Sequence, residues 1–527
     1  HQSAWRDDRR RHRRGGAANA MTAILDVRRY PEARDRFRWD ALWDLVDGDR
    51  RRLNLAHECV DRHVGKGTAL RIQFADGHRE EHDFAALAEW SSRFANFLED
   101  SGVGRGDRVA VMLEPSLAFY GAVFGTVKRG AVAVPLFTLF GPEGLALRIE
   151  DCRPRMLLVE HDAERWRGQF PDLTVVDIAA LADRLPAMPA RYVPETAPDD
   201  LALFQYTSGT TRALPEAVRH THRSVVTLMV AALYGVGLRA GDRYFCPSSP
   251  AWGHGLWHGT VAPLALGIAV GSYSGKFRAE RIVEALHAFG ITNLAAAPTV
   301  YRMIRESGAA DARRFAPDKL SFTGEPMDGR TWEFIERAFG LKPCSMYGST
   351  EVGVIIVNYP GFEGYEVRRG ALGKAAPGWE VGVVGDDGPL PPGQLGEIAV
   401  RRRGEWFRVK DRGHVDEDGY FFHAGRSDDV IISAGWTMSA LEIEQALLAH
   451  PDVREAAVIG VPDELRGQIP KACIVAPGKT PAFVRDLQEF VKDRLSKHEY
   501  PRVIELMDEL PKTPAGKIDR KTLRARG

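Results

Sequence analysis

The chain has no CxxC pair, no apolar run long enough to cross a bilayer and no surplus of either charge. Its five cysteines, Cys59, Cys152, Cys246, Cys344 and Cys473, are scattered over 527 residues. An odd, dispersed set argues for reduced cytoplasmic thiols and against a disulfide framework or a zinc knuckle. No run of about eighteen apolar residues occurs, so no transmembrane helix is expected. Lys+Arg and Asp+Glu stand at 71 each, which gives no reason to expect nucleic acid or an anionic membrane as partner. The GxxxxGK[ST] phosphate loop is missing, since Gly275-Lys276 and Gly516-Lys517 both lack the upstream glycine and the following hydroxyl. So is the GxSxG elbow of serine hydrolases. His254 and His258 have the spacing of a zinc pair, yet Gly255 stands where a metalloprotease carries its Glu.

What is present is a layered α/β pattern. At this length about two to four domains are expected. Phe84, Leu87, Trp90, Phe94, Phe97 and Leu98 recur at three and four, the signature of an amphipathic helix over 84–102. Arg108–Leu113 reads as a buried strand, Ser116–Lys128 as a helix, and Ala131–Leu136 as a strand. The alternation continues through strands at 155–160 and 173–176, which predicts parallel βαβ layers. It resumes with a helix over Ser224–Leu233, a strand at 243–247, a helix over 281–289 and a strand at 292–297. Two successive doubly wound blocks are therefore predicted. Between Gly364 and Arg408 short strands with Gly/Pro turns predict a small β-rich, barrel-like subdomain. A polar break at Gly425–Asp429 sets a boundary, with residues 21–426 before it and an independent α+β domain over 427–527. Phe483, Leu487, Phe490, Val491 and Leu495 give that domain one amphipathic helix. The arginine-dense stretch 1–20 reads as an appended or upstream-translated disordered tail, with Met21 the natural start; a basic nucleic-acid arm is the competing reading.

Three segments carry the chemistry. Thr207-Ser208-Gly209-Thr210-Thr211 puts four hydroxyl side chains and a glycine just beyond the apolar run 201–204. Glycine lets backbone N–H groups approach a polyphosphate, and the hydroxyls donate to its oxygens. Tyr347-Gly348-Ser349-Thr350-Glu351 and Pro511–Lys517 follow in order. Together the three resemble the motifs of AMP-forming acyl-CoA synthetases, within the adenylate-forming superfamily that includes peptide-synthetase adenylation domains and luciferases. The likeness covers nearly all of residues 21–527.

That resemblance implies an acid–thiol ligase using ATP, Mg²⁺ and CoA. Thr207, Ser208, Gly209, Thr210 and Thr211 would close over the β- and γ-phosphates. Gly324, Glu325, Pro326 and the stretch Ser345, Met346, Tyr347, Gly348 and Ser349 would flank the adenylate. Thr350 would touch the α-phosphate and the substrate carboxylate, and Glu351 would hold Mg²⁺, a hard cation suited to carboxylate oxygen. Asp411 would accept the ribose hydroxyls and Arg426 would donate to the ribose. Lys517 would arrive from the tail domain to bridge carboxylate and α-phosphate. Asp428 would be the hinge, and Ser433, Ala434 and Gly435 would line the CoA arm. Carboxylate attack on a phosphate brings two anions together, so a cation and a metal fit the need independently of the likeness.

Trp252, Gly253, His254 and Gly348 would bound the acyl pocket. Acetate-specific relatives carry Trp in the place of Gly348, so an acid larger than acetate is expected: short- or medium-chain, branched or hydroxylated. Departures are present too. Arg212–Ala217 replaces the usual Gly-x-Pro-Lys-Gly, with Glu216 where a lysine is usual, Val409-Lys410 precedes Asp411, and Trp436-Thr437 follows Gly435. An aryl-CoA ligase, a carrier-protein ligase and a nucleotide-binding protein without turnover are the alternatives. The chain would act as monomer or homodimer in the cytoplasm.

Overall fold

Apolar runs become strands where both sheet faces are covered, and the chain builds its first sheet from such runs. The structure, a computed structural model, describes residues 24–206, 216–311, 317–349, 352–426, 430–433, 436–463, 466–478, 480–495, 500–513 and 516–526. It divides into two units: residues up to Thr323 together with Tyr359–Tyr365, and Gly324–Asn358 together with Glu366 onward.

In the first unit, helix α1 (Phe84–Asp100) opens at Asp83, whose carboxylate accepts from Ala86 N–H. Strand β1 (Arg108–Met112) follows, then α2 (Leu117–Arg129), capped by the Ser116 hydroxyl. Next come β2 (Val132–Pro135), α3 (Pro142–Cys152), β3 (Met156–Val159), β4 (Thr174–Asp177), β5 (Leu201–Gln205) and β6 (Val218–Thr221). The sheet order is β4-β3-β1-β2-β5-β6, parallel except for the final β5–β6 hairpin. Parallel strands are buried on both faces, and Ala110, Val132, Val134, Leu157 and Phe204 form one core with Trp166. A second parallel set pairs β7 (Tyr244–Phe245), β8 (Asn293–Ala296) and β9 (Lys319–Phe322) in the order β9-β8-β7. Helices α4 (Ala279–Ala288) and α5 (Pro298–Ser307) connect along it.

The helix predicted over Ser224–Leu233 is not continuous. Only Ser224–Thr227 is a regular turn, and Ala231–Gly235 widens into a π-helix. Small Ala231, Ala232 and Gly235 accommodate the wider turn. The strand predicted at 243–247 contracts to Tyr244–Phe245.

In the second unit, α6 (Gly329–Phe339) precedes seven antiparallel strands: β10 (Cys344–Ser349), β11 (Gly353–Val357), β12 (Ala371–Ala375), β13 (Val381–Gly385), β14 (Gly396–Arg402), β15 (Glu405–Val415) and β16 (Phe421–Arg426). Their order is β13-β14-β15-β16-β12-β11-β10, around a core of Ile355, Ile356, Val383, Ile398 and Phe421. The tail follows as β17 (Val430–Ser433), β18 (Trp436–Ser439), α7 (Ala440–Leu448), β19 (Glu455–Asp463), β20 (Gly467–Val475), α8 (Pro481–Arg494), β21 (Val503–Met507) and α9 (Arg520–Ala525). It has its own core, with Ile431, Ile443, Leu447, Val458, Leu487 and Val491. All five cysteines are free and buried. Among the described residues no helix is long and apolar enough to cross a membrane.

Buried histidines hold the first unit together while uncharged. His222, directly after β6, accepts from Leu55 N–H at 3.0 Å through Nδ1, and burial pushes its pKa down to about 4. Burial, with Arg62 and Lys66 nearby, pushes His63 down to about 3. The unfolded chain binds protons at these positions from about pH 6.5 downward, and the folded chain does not. Stability contributed here is therefore complete above pH 6.5 and falls by up to ~1.4 kcal/mol per pH unit per histidine below it. Denaturant melts at pH 7 and pH 5 should show this loss, with a shallower decline in His222→Asn.

Candidate functional site

The hydroxyl-rich segment Thr207–Thr211 lies outside the described residues, but its stems do not. It connects β5 to β6, and both ends of the connection converge on one carboxylate. The Tyr206 hydroxyl donates to Asp151 Oδ2 at 2.7 Å, and Ala217 N–H donates to the same oxygen at 3.0 Å. Asp151 stands in the last turn of α3. The Tyr206 phenol is also 3.0 Å from Arg148 O, and burial holds its pKa well above the usual range. Both stems are thus held by one half-buried acceptor, which restricts where the two ends of the connection stand.

The same hairpin reaches the predicted acyl segment. Gln205 Oε1 accepts from Trp257 Nε1–H at 2.7 Å, and the His220 ring lies 4.6 Å from that indole. Trp257 belongs to a π-helix, His254–Val261, a rare form frequent at functional sites. Trp252 packs at 5.5 Å from the Phe137 ring. At Gly253 a side chain would meet the Gln205 amide at 2.4 Å. His254 Nδ1 pairs with the Ser248 hydroxyl at 3.0 Å, leaving Nε2 buried without a partner, as is His258 Nδ1. Burial pushes these imidazoles down to about 3 and about 4. They are neutral groups with hydrogen-bonding capacity to spare.

In the second unit, β10 carries Ser345, Met346, Tyr347, Gly348 and Ser349. The Ser345 hydroxyl donates to Leu372 O at 2.8 Å, so its side chain braces the sheet. Met346 is buried. The Tyr347 hydroxyl donates to Asp411 Oδ2 at 2.6 Å, and His423 Nε2 lies 3.6 Å from Asp411 Oδ1. Asp411 pairs in register with Arg426 between β15 and β16. The Ser349 hydroxyl is buried and has no partner, as does the Thr513 hydroxyl. Gly348 has a local cause that sequence reasoning missed: a Cβ there would stand 1.8 Å from Gly353 O across β10–β11. The glycine is required by the strand contact itself, whatever the acyl group.

Lys517 comes to the Gly324-Glu325-Pro326 segment, its Cε 4.0 Å from where a Cβ on Gly324 would stand. It projects from a tight turn in which Thr513 N–H donates to Lys517 O at 2.7 Å and Gly516 N–H to Thr513 O at 2.8 Å. Gly516 is left-handed at φ 78°. Arg520, opening α9, donates to both carboxylate oxygens of Glu444 on α7, at 2.6 and 2.7 Å. Ser433 is buried at the end of β17, paired with Trp436 and Gly467. Thr350, Glu351, Asp428, Ala434 and Gly435 lie outside the described residues. Asp151, Gln205 and Glu444 are the contributors that sequence reasoning missed. No motif marks them, since each acts through polar contacts with residues far away in sequence.

Comparison with known proteins fits this geometry. Residues 60–405 match the model of the AMP-binding enzyme family, and residues 442–517 that of the AMP-binding enzyme C-terminal domain. The uncharacterized acyl–CoA ligase YtcI of Bacillus subtilis is 30% identical, covering 88% of this chain and 94% of that protein. 4-Hydroxybutyrate–CoA ligase 1 of Metallosphaera sedula is 29% identical, over 91% of each. The crystal structure of anthranilate CoA ligase AuaEII with anthranoyl-AMP superposes with a TM-score of 0.80 at 28% identity, covering 91% of this chain and 98% of that one.

Removing the shared tether tests its role in the phosphate-type loop. Asp151→Ala strands Ala217 N–H without an acceptor, which should cost about 1–3 kcal/mol in a denaturant melt. It should also weaken ATP binding measured by calorimetry, while Asp151→Asn, which keeps an acceptor, should lose less of both.

Proposed function

The chain belongs to the AMP-binding enzyme family, and we propose the roles its own residues take in that family's chemistry. It is an AMP-forming acid–CoA ligase that uses ATP, Mg²⁺ and CoA. The carboxylate oxygen attacks the α-phosphorus, the bond to the bridging oxygen breaks and pyrophosphate leaves. The CoA sulfur then attacks the acyl carbon, a thioester forms and AMP leaves.

In the first step the approach of two anions sets the barrier, and a cation positioned between them lowers it. Lys517 is that cation, and its approach to Gly324 is the observation that carries this reading. Asp411, oriented by the Tyr347 hydroxyl, accepts the ribose hydroxyls; a carboxylate has room for these beyond the bond it already makes. Ser349, whose hydroxyl is otherwise orphaned, donates to the adenylate. Thr207, Ser208, Gly209, Thr210 and Thr211 close over the phosphates from stems fixed by Asp151. Thr350 contacts the reacting carboxylate, and Glu351 holds Mg²⁺, which neutralises phosphate charge when bound. Arg426 donates to the ribose, Asp428 is the hinge of the tail domain, and Ser433, Ala434 and Gly435 line the CoA arm. Buried, unbridged thiols suit a cytoplasmic address.

The acid is larger than acetate and carries a hydrogen-bonding group away from its carboxylate. His254 supports this: a neutral imidazole with one buried, unpartnered nitrogen wants a hydroxyl or carbonyl. An aryl acid is the second reading, favoured by the Phe137–Trp252 aromatic pair and the likeness to an anthranilate ligase.

Two measurements decide these points. Lys517→Ala should abolish acid-dependent exchange of labelled pyrophosphate into ATP yet form thioester from supplied acyl-AMP; normal exchange would remove Lys517 from its role. In a panel of C2–C10, branched, hydroxy and aromatic acids, hydroxy acids should outpace unsubstituted acids of equal length. His254→Leu should erase that preference, by about tenfold or more in kcat/KM.

A further inference from the structure

Arg330 occupies the first turn of α6, the end of a helix where the backbone dipole disfavours a cation. Its own helix therefore does not account for it. The guanidinium reaches instead to the far end of α7 and the turn beyond. Nε donates to Leu448 O at 2.8 Å, and Nη2 donates to Leu448 O, to His450 O at 2.7 Å and to Val453 O at 2.9 Å. Helix C-termini leave carbonyls unsatisfied and carry partial negative charge, so a forked cation fits there.

The receiving turn is rigid. His450 Nδ1 accepts from Asp452 N–H at 3.2 Å, and Nε2 pairs with Asp486 on α8 at 3.0 Å. From its middle, α7 leads to the lysine turn. Glu444 takes Val458 N–H at 2.7 Å and both bonds from Arg520, three residues beyond Lys517. Lys517 in turn lies beside Gly324, six residues before Arg330. The tail module thus meets the short segment 324–330 at two points, Lys517 on one side and the end of α7 on the other.

We infer that Arg330 is a positioning residue for the adenylation half-reaction, clasping α7 so that Lys517 is held at Gly324. The inference rests on the ligase reading, in which the tail module must also leave this position for thioester formation. Three neutral carbonyls suit such a clasp. Each bond to a charged donor is firm, yet release strands no buried carboxylate.

The test uses the full chain with Arg330→Gln and Arg330→Ala. Acid-dependent pyrophosphate–ATP exchange should fall about tenfold or more, as expected for loss of charge-assisted hydrogen bonds. Thioester formation from supplied acyl-AMP and CoA should stay unchanged, with the unfolding midpoint within a few degrees of the parent. Arg330→Lys, which keeps the charge but loses the fork, should recover only part of the exchange. A parallel fall in both half-reactions would mean a merely structural role and overturn the inference, as would unaltered exchange. Absence of exchange in the unmodified protein would instead overturn the ligase reading.

Discussion

Two anions have to meet for a carboxylate to attack a nucleotide phosphate, and a cation that stayed between them would impede the next step. In the proposed reading the chain answers this by keeping the positive charge off the scaffold and on a turn. Lys517 is exposed and sits on a tight turn closed by Thr513 and Gly516. Strand β10, which flanks the nucleotide in that reading, offers hydroxyls: Tyr347 engaged with Asp411, and Ser349 unengaged. Neutral donors can remain in place through both half-reactions because they bind adenylate and AMP alike. The charge that matters only in the first half-reaction is the part that must be removable.

The same economy of charge marks the acyl side. His220, His254 and His258 are all pushed down to about 3 or 4 by burial, so none is protonated near neutral pH. A cationic pocket wall would bind the substrate carboxylate in the wrong orientation, with its reactive end away from the phosphate. Lining the acyl pocket as proposed, uncharged imidazoles would avoid that competition while still offering hydrogen bonds to the distal part of the acid. The π-helix that presents two of them brings His254 and His258 to a ring separation of 5.7 Å.

Much of the framework could be read from sequence because parallel strands are apolar on both faces. Runs such as Val109–Met112 and Val132–Pro135 are buried along their whole length, and α1 shows its period through Phe84, Leu87, Phe94 and Leu98. The π-helices were not legible, since a widened turn changes one hydrogen-bond step without changing the apolar pattern. Nor were Asp151, Glu444 and Arg330, each a single charged residue whose partner lies 55 to 123 positions away. Gly348 shows a different limit. Sequence reasoning ties it to acyl size, whereas the clash with Gly353 O shows that a strand contact alone demands glycine.

The departure at Glu216 is best understood through the loop stems. In a phosphate loop that relies on a lysine, a carboxylate at that position would oppose the ligand. Here the stems are set by Asp151, which takes Tyr206 on one side and Ala217 on the other. Ala217 is buried and its neighbour Glu216 is exposed, so the chain turns from solvent to core within one residue. A solvent-exposed carboxylate is screened over about 8–10 Å at physiological ionic strength, which weakens its repulsion of a triphosphate. In the proposed reading, backbone N–H groups and hydroxyls, which carry no net charge, supply the cradle. The stem geometry that a lysine would otherwise enforce comes, in that reading, from Asp151, a half-buried aspartate in the last turn of α3.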